Sequence, residues 1–284
     1  METQTLTETQ WEVIKKYLPN IDRKRKHDLR SIFDGLFYIL KTGCPWRMLP
    51  SSYPKWELVY YYFSRWRDEE LFVHLNDMTR EVVRVKSNKN AQCSVAIIDS
   101  QSIKTTRRGG LRGIDGNKKI KGRKRHIMVD RMGNIITNIV HVANIHDSKG
   151  AHLVLKNLKE NIHGIKVIYA DGGYRGELIE IAKNKYEYTL KISPKIKDND
   201  INKVSPKRWI VERTFAWLEN FRRLSKDFEY LLESSQAMIY LASIKLLVNK
   251  FKVMVQKIVG VFDKNNSYTS PVSRKRTLAL LESN

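Results

Sequence analysis

Cysteine is nearly absent from this chain: Cys44 and Cys93 are the only two in 284 residues, far apart and in no Cys-x-x-Cys pair. That scarcity excludes a disulfide framework and a cysteine-ligated zinc site, and it fits a reducing compartment. The opening "METQTLTETQWEV" has no apolar signal core, so no secretory leader is expected. Long apolar runs are missing too. The nearest candidate, "AMIYLASIKLLVNKFKVMVQ", carries Lys245, Lys250 and Lys252, and so predicts a partly buried helix rather than a membrane span. Acidic residues are few beside basic ones: 30 Asp+Glu against 52 Lys+Arg leave a formal net charge of +22. Such an excess makes a polyanion the expected partner, nucleic acid ahead of an anionic membrane.

What is present divides by pattern. Residues 7 to about 85 read as all-helical. Thr7 with Gln10 forms a capping-box pattern before Trp11, Ile14 and Leu18. A second helix from about Asp28 to Thr42 is stopped by Gly43 and Pro45. Two more are expected near 55–66 and 69–85. With "DRKRK" at one turn, this region is compatible with a helix-turn-helix module or with a plain helical cap. From Ser94 the pattern changes to strand-length runs: "SVAIID", "HIMVD" and "IITNIVHVA", then helix, "KVIYAD", helix, "YTLKI", and a long helix from about Pro206 to Ser225. Strands first and alternation after predict an α/β fold with a mixed sheet flanked by helices.

Two of those strands end on aspartate, Asp99 after "VAII" and Asp171 after "VIYA". Functional groups in open sheets gather at strand carboxyl ends. On neighbouring strands the two carboxylates would repel and call for a cation, and an all-oxygen set favours Mg²⁺ or Mn²⁺ over zinc. A third acid is expected from the late helix. At about 100° per residue, Arg208, Glu212, Ala216, Glu219, Arg223 and Lys226 share one face. That stripe is also what ordinary i,i+4 ion pairs would produce. Together the three acids match a two-metal site.

Asp99 in "AIIDSQSIKTT", Asp171 in "YADGGYRG" and Glu212 in "RWIVERTFAWLENFRRLSKDFE" resemble the three acids of bacterial insertion-sequence transposases of the Asp-Asp-Glu class. The nearest branch is the one whose third block reads Tyr-x2-Arg-x3-Glu-x6-Lys. The likeness runs over about residues 5 to 256. It implies a ribonuclease H-like catalytic domain over 91–256, a helical DNA-binding or assembly domain over 1–90, and a polar basic tail over 257–284. It further implies Mg²⁺ as cofactor with Mn²⁺ as substitute, and Asp99, Asp171 and Glu212 as catalytic metal ligands. The substrate would be double-stranded DNA, both terminal inverted repeats and target, with a homodimer working on DNA in the bacterial cytoplasm and nucleoid. Arg208 matches the block's arginine. The tyrosine position holds Ser205 and the lysine position Glu219, so Arg222, Arg223 or Lys226 is expected to hold the DNA end instead. Glu219 is the rival third ligand. A non-catalytic DNA binder and a general nuclease of the same fold are the alternatives.

The segment Lys104–Arg125 holds ten Lys/Arg against one acid, Asp115. It predicts a mobile, glycine-rich loop against DNA, with Lys104, Arg107, Arg108, Lys121, Arg123, Lys124 and Arg125 as the contacts. His141, His146 and His152 have no zinc-ligand spacing. Asp147 is expected to cap the helix after it, Asp115 and Asp130 to occupy turns, and Tyr60–Tyr62 to form an aromatic helix face.

Overall fold

The computed structural model describes residues 5–19, 21–193 and 208–265, with side chains as far as Phe251. Its helical N-terminal part follows local signals. Thr7 and Gln10 complete the capping box of α1 (Glu8–Lys15). Asp28 caps α2 (Leu29–Thr42), and Gly43 ends it with φ of 69°. Then come α3 (Trp56–Asp68) and α4 (Leu71–Lys86). Tyr62 packs on Trp66 with ring centroids 5.0 Å apart, as an aromatic face should.

A six-stranded sheet follows: β1 (Val95–Lys104), β2 (Gly113–Asp115), β3 (Ile120–Val129), β4 (Ile135–Val142), β5 (Val167–Ala170) and β6 (Thr189–Ile192). β3 runs antiparallel to β1 and to β4, while β5 runs parallel to β1 and β6 parallel to β5. The order β4-β3-β1-β5-β6, with β3 alone reversed, is the ribonuclease H-like arrangement. Short β2 pairs with the start of β3. Helices α5 (Asp147–Asn161) and α6 (Glu177–Asn184) cover one face. The other face meets α7 (Arg208–Glu219) and α8 (Leu232–Asn265).

Side chains alternate across a strand, and the two cores follow that alternation. Ile97, Ile127 and Val129 join one cluster; Ala96, Ile98 and Met128 join the other. The first cluster also takes in Ile14, Phe33, Leu36, Phe63 and Leu75 from α1–α4 and Leu241, Leu247 and Phe251 from α8. The chain passes from helices to sheet near residue 90, yet no core boundary falls there.

Three expectations are corrected. The basic segment is not one loop: residues 113–115 and 120–125 are strand, and Thr105 bridges to Asp227. The late helix ends at Glu219, not Ser225, because Phe221 takes an extended backbone and buries its ring. Arg223 and Lys226 therefore leave the Arg208–Glu212 stripe. His146, not Asp147, caps α5. Ser205 and the tail from Asn266 onward lie outside the described residues.

Candidate active site

Matched residues on β1 and β5 include Ile97 with Tyr169, so two steps on Asp99, in β1, and Asp171, just past the end of β5, stand at the same level. Strands lie about 4.8 Å apart, and the Asp99 side chain shares the face of Ile97, toward α7. Each carboxylate is held by the amide just beyond it. Ser100 N donates to Asp99 Oδ1 at 2.7 Å, and Gly173 N to Asp171 Oδ1 at 2.9 Å. Burial first, and the charge of Asp171 as well, push the Asp99 carboxyl up to about 6; Arg208 and Lys118 pull it down. A close carboxylate pair whose charged form is disfavoured, offering only oxygens, fits a hard divalent cation.

Glu212 is exposed on α7, and its Oε1 accepts from Arg208 Nε at 3.0 Å. Glu219, at the end of the helix, accepts from Gln101 Nε2 at 2.9 Å, so α7 does pack along β1. Among the described residues no three His, Cys, Asp or Glu side chains lie together closely enough to hold a metal ion. The structure thus brings Asp99 and Asp171 together and leaves the third acid paired with an arginine.

Four of the residues expected on DNA are inside the protein, and for the three on β3 the pleat explains why. Odd-numbered side chains of β3 point toward α8 and even-numbered ones toward α5. Arg123, with no exposed surface, reaches Asp227 Oδ1 at 3.2 Å, Ser235 Oγ at 2.8 Å and Tyr230 O at 2.7 Å. Arg125 donates to Leu224 O at 2.8 Å. Lys124 contacts Asp147 and Ile145 O, each at 2.8 Å. Arg223 is also buried, with Nε 2.7 Å from Glu229. A buried charge requires such partners, so none of the four is a surface contact. Lys104, Arg107, Arg108, Lys121, Arg208, Arg222 and Lys226 are exposed.

Sequence reasoning missed a polar network on the opposite side of β1. Asp147 Oδ1 accepts from Lys124 Nζ and, at 2.9 Å, from Ser100 Oγ. Burial raises the Asp147 carboxyl, but Lys124 and Ser100 outweigh it and hold the group below its usual range. The hydroxyl of Tyr174, fully buried, lies 3.0 Å from His126 Nδ1. Lys118 Nζ also reaches the Ser100 carbonyl at 3.5 Å. The available signal was Asp147 itself, a third acid just past the carboxyl end of a strand.

Known proteins resemble this chain in its parts. A family model described as transposase DDE domain matches residues 90–247, and a second, of transposases of the IS4/5 family, matches residues 6–76. A curated Burkholderia cepacia protein, assigned as a transposase for insertion sequence element IS402, is 33% identical over 116 residues. That match takes in 38% of this chain and 54% of the relative, about half its length. Among solved structures, a piggyBac transposase synaptic complex with hairpin DNA aligns over 90% of this chain and 75% of its own. Its identity is 13% and its TM-score 0.42, a distant likeness.

Proposed function

The chain belongs to the family of transposase DDE domains, and from that premise we propose that it cuts DNA at the ends of an insertion sequence and joins the freed 3′-OH to target DNA. The observation that supports this reading most directly is the Asp99–Asp171 pair at one level of two parallel strands, with Asp99 pushed up to about 6. Asp99 and Asp171 would hold Mg²⁺, for which Mn²⁺ can substitute, and Glu212 on α7 would complete the set. When bound, the ion supplies an activated water and neutralises charge at the scissile phosphate.

The chain's own residues do the rest. The Ser100 and Gly173 amides fix the aspartate oxygens, leaving little to reorganise as charge develops. Lys118, whose Nζ reaches the Ser100 carbonyl, and the exposed Lys104, Arg107 and Arg108 at and past the end of β1 lay positive charge where a DNA backbone would cross. Displacement at phosphorus is mainly a matter of positioning and electrostatics, so no Ser, Cys or Tyr nucleophile is required. Substrates would be the element's terminal inverted repeats and a target duplex. Two ends must be cut in concert, so a dimer assembled on DNA is the expected working unit.

The test is a supercoiled plasmid carrying the element's ends, incubated with Mg²⁺. Wild type should nick it, and Asp171→Asn should bind but not nick. The Arg208–Glu212 pair favours a second reading, a DNA-binding protein descended from such an enzyme; wild type and Asp171→Asn would then behave alike. Equal cutting of plasmid without the repeats would instead indicate a general nuclease.

A further inference from the structure

The carboxylate of Asp147 is placed as if for the aspartate pair, although it belongs to neither strand and does not cap its own helix. Its Oδ1 takes two donors, Lys124 Nζ at 2.8 Å and Ser100 Oγ at 2.9 Å. Ser100 is the residue whose amide holds Asp99 Oδ1 at 2.7 Å. Its other oxygen faces the Asp171 turn. A Cβ added to Gly173 would stand 3.5 Å from Asp147 Oδ2 and 3.1 Å from Asp171 Oδ1. The gap left by that glycine therefore lies between the two carboxylates. Tyr174, next in the turn, is fully buried and sets its hydroxyl 3.0 Å from His126 Nδ1.

We propose that Asp147 is a positioning residue, holding Ser100 and the Gly173 turn so that Asp99 and Asp171 present their carboxylates to one divalent cation. The inference rests on the metal-site reading above and deepens it. Asp147 touches neither aspartate; it acts through the two residues whose amides orient them. Lys124 supplies the opposite charge that lets a partly buried carboxylate serve there, which gives a buried lysine in a basic run a reason of its own. Outer partners of metal ligands commonly change metal affinity by about 10- to 100-fold when removed.

The experiment is Mn²⁺ titration of the full chain by electron paramagnetic resonance, with melting temperatures taken in EDTA. Asp171→Asn should remove specific Mn²⁺ binding; if it binds as wild type does, the metal-site reading itself fails. Where Asp171→Asn loses binding, Asp147→Asn should bind Mn²⁺ about tenfold or more weakly, with a melting temperature in EDTA close to wild type. Ser100→Ala, which breaks the same link from its other end, should weaken binding in the same direction. Should Asp147→Asn not fold, Ser100→Ala decides alone. Wild-type Mn²⁺ affinity in the folded variants, with or without a lower melting temperature, overturns the positioning role and leaves Asp147 an internal ion pair.

Discussion

Asp99 on β1 stands beside Asp171, the first residue past the end of parallel β5, two residues on from the matched pair Ile97 and Tyr169. The Asp99 side chain turns to the α7 face by the ordinary alternation of a strand. The closeness of the two aspartates is thus set by the register of β1 and β5 and by the turn that Asp171 caps.

That closeness has a pH signature in the absence of metal. Burial, and then the Asp171 charge against the opposing Ser100 amide, lift Asp99 from 3.8 to about 6. A carboxyl raised by folding adds stability that is full below about pH 4 and lost as pH rises through 6, on the order of 3 kcal/mol. In EDTA, Asp99→Asn should therefore melt above wild type at pH 8 and show a flatter profile between pH 4 and 8. Calorimetry across that range checks it, and an unchanged profile in the variant counts against the buried pair.

The choice between the helical acids is open to kinetics. Glu212→Gln should reduce plasmid nicking by about a hundredfold or more, the scale of a lost group at a charge-stabilising site. Glu219→Gln, which gives up only an exposed contact with Gln101, should stay within a few-fold. The reverse order would move the third ligand to Glu219.

Two kinds of basic residue should separate cleanly. Arg123→Met leaves Asp227 buried and uncompensated and should destabilise the fold by about 3–5 kcal/mol in urea. Neutralising Lys104, Arg107 and Arg108 together should leave stability alone and reduce the slope of log K against log[salt] by about 3 units. An unchanged slope would take those three out of the DNA footprint.

Much of this was readable in the residues. Asp99 and Asp171 each close an apolar run, and the capping box at Thr7 and the stop at Gly43 form as written. The basic segment misled because charge density says nothing of direction. Arg123, Lys124 and Arg125 look alike in sequence, but the pleat sends the odd pair toward α8 and the lysine toward Asp147. Helical spacing likewise extended α7 to Ser225, but it ends at Glu219, where the chain turns to bury Phe221. Asp147 was hidden because its partners Ser100 and Lys124 are 47 and 23 positions away in the chain.

Gly150 offers a test of packing beneath that network. The Nε2 atoms of His126 and His141 are both buried without hydrogen-bond partners among the described residues, and each would lie 2.4 Å from a Cβ placed on Gly150. Alanine in a helix interior ordinarily gains about 1 kcal/mol over glycine. Here Gly150→Ala should instead destabilise by about 1–3 kcal/mol, because two held imidazoles must give way. A gain on chemical denaturation would show that the rings move freely.

Helix α8 packs on α1, α2, α3 and α4 and also on β4. Its apolar side chains sit in the one cluster that joins the early helices to the sheet. The early helices are consequently no detachable module: severed from α8 they would expose the surface that now closes the sheet's second face. A ligand gripping them would tug, through α8, on the scaffold of the aspartate pair. Heating should accordingly melt both parts in a single step.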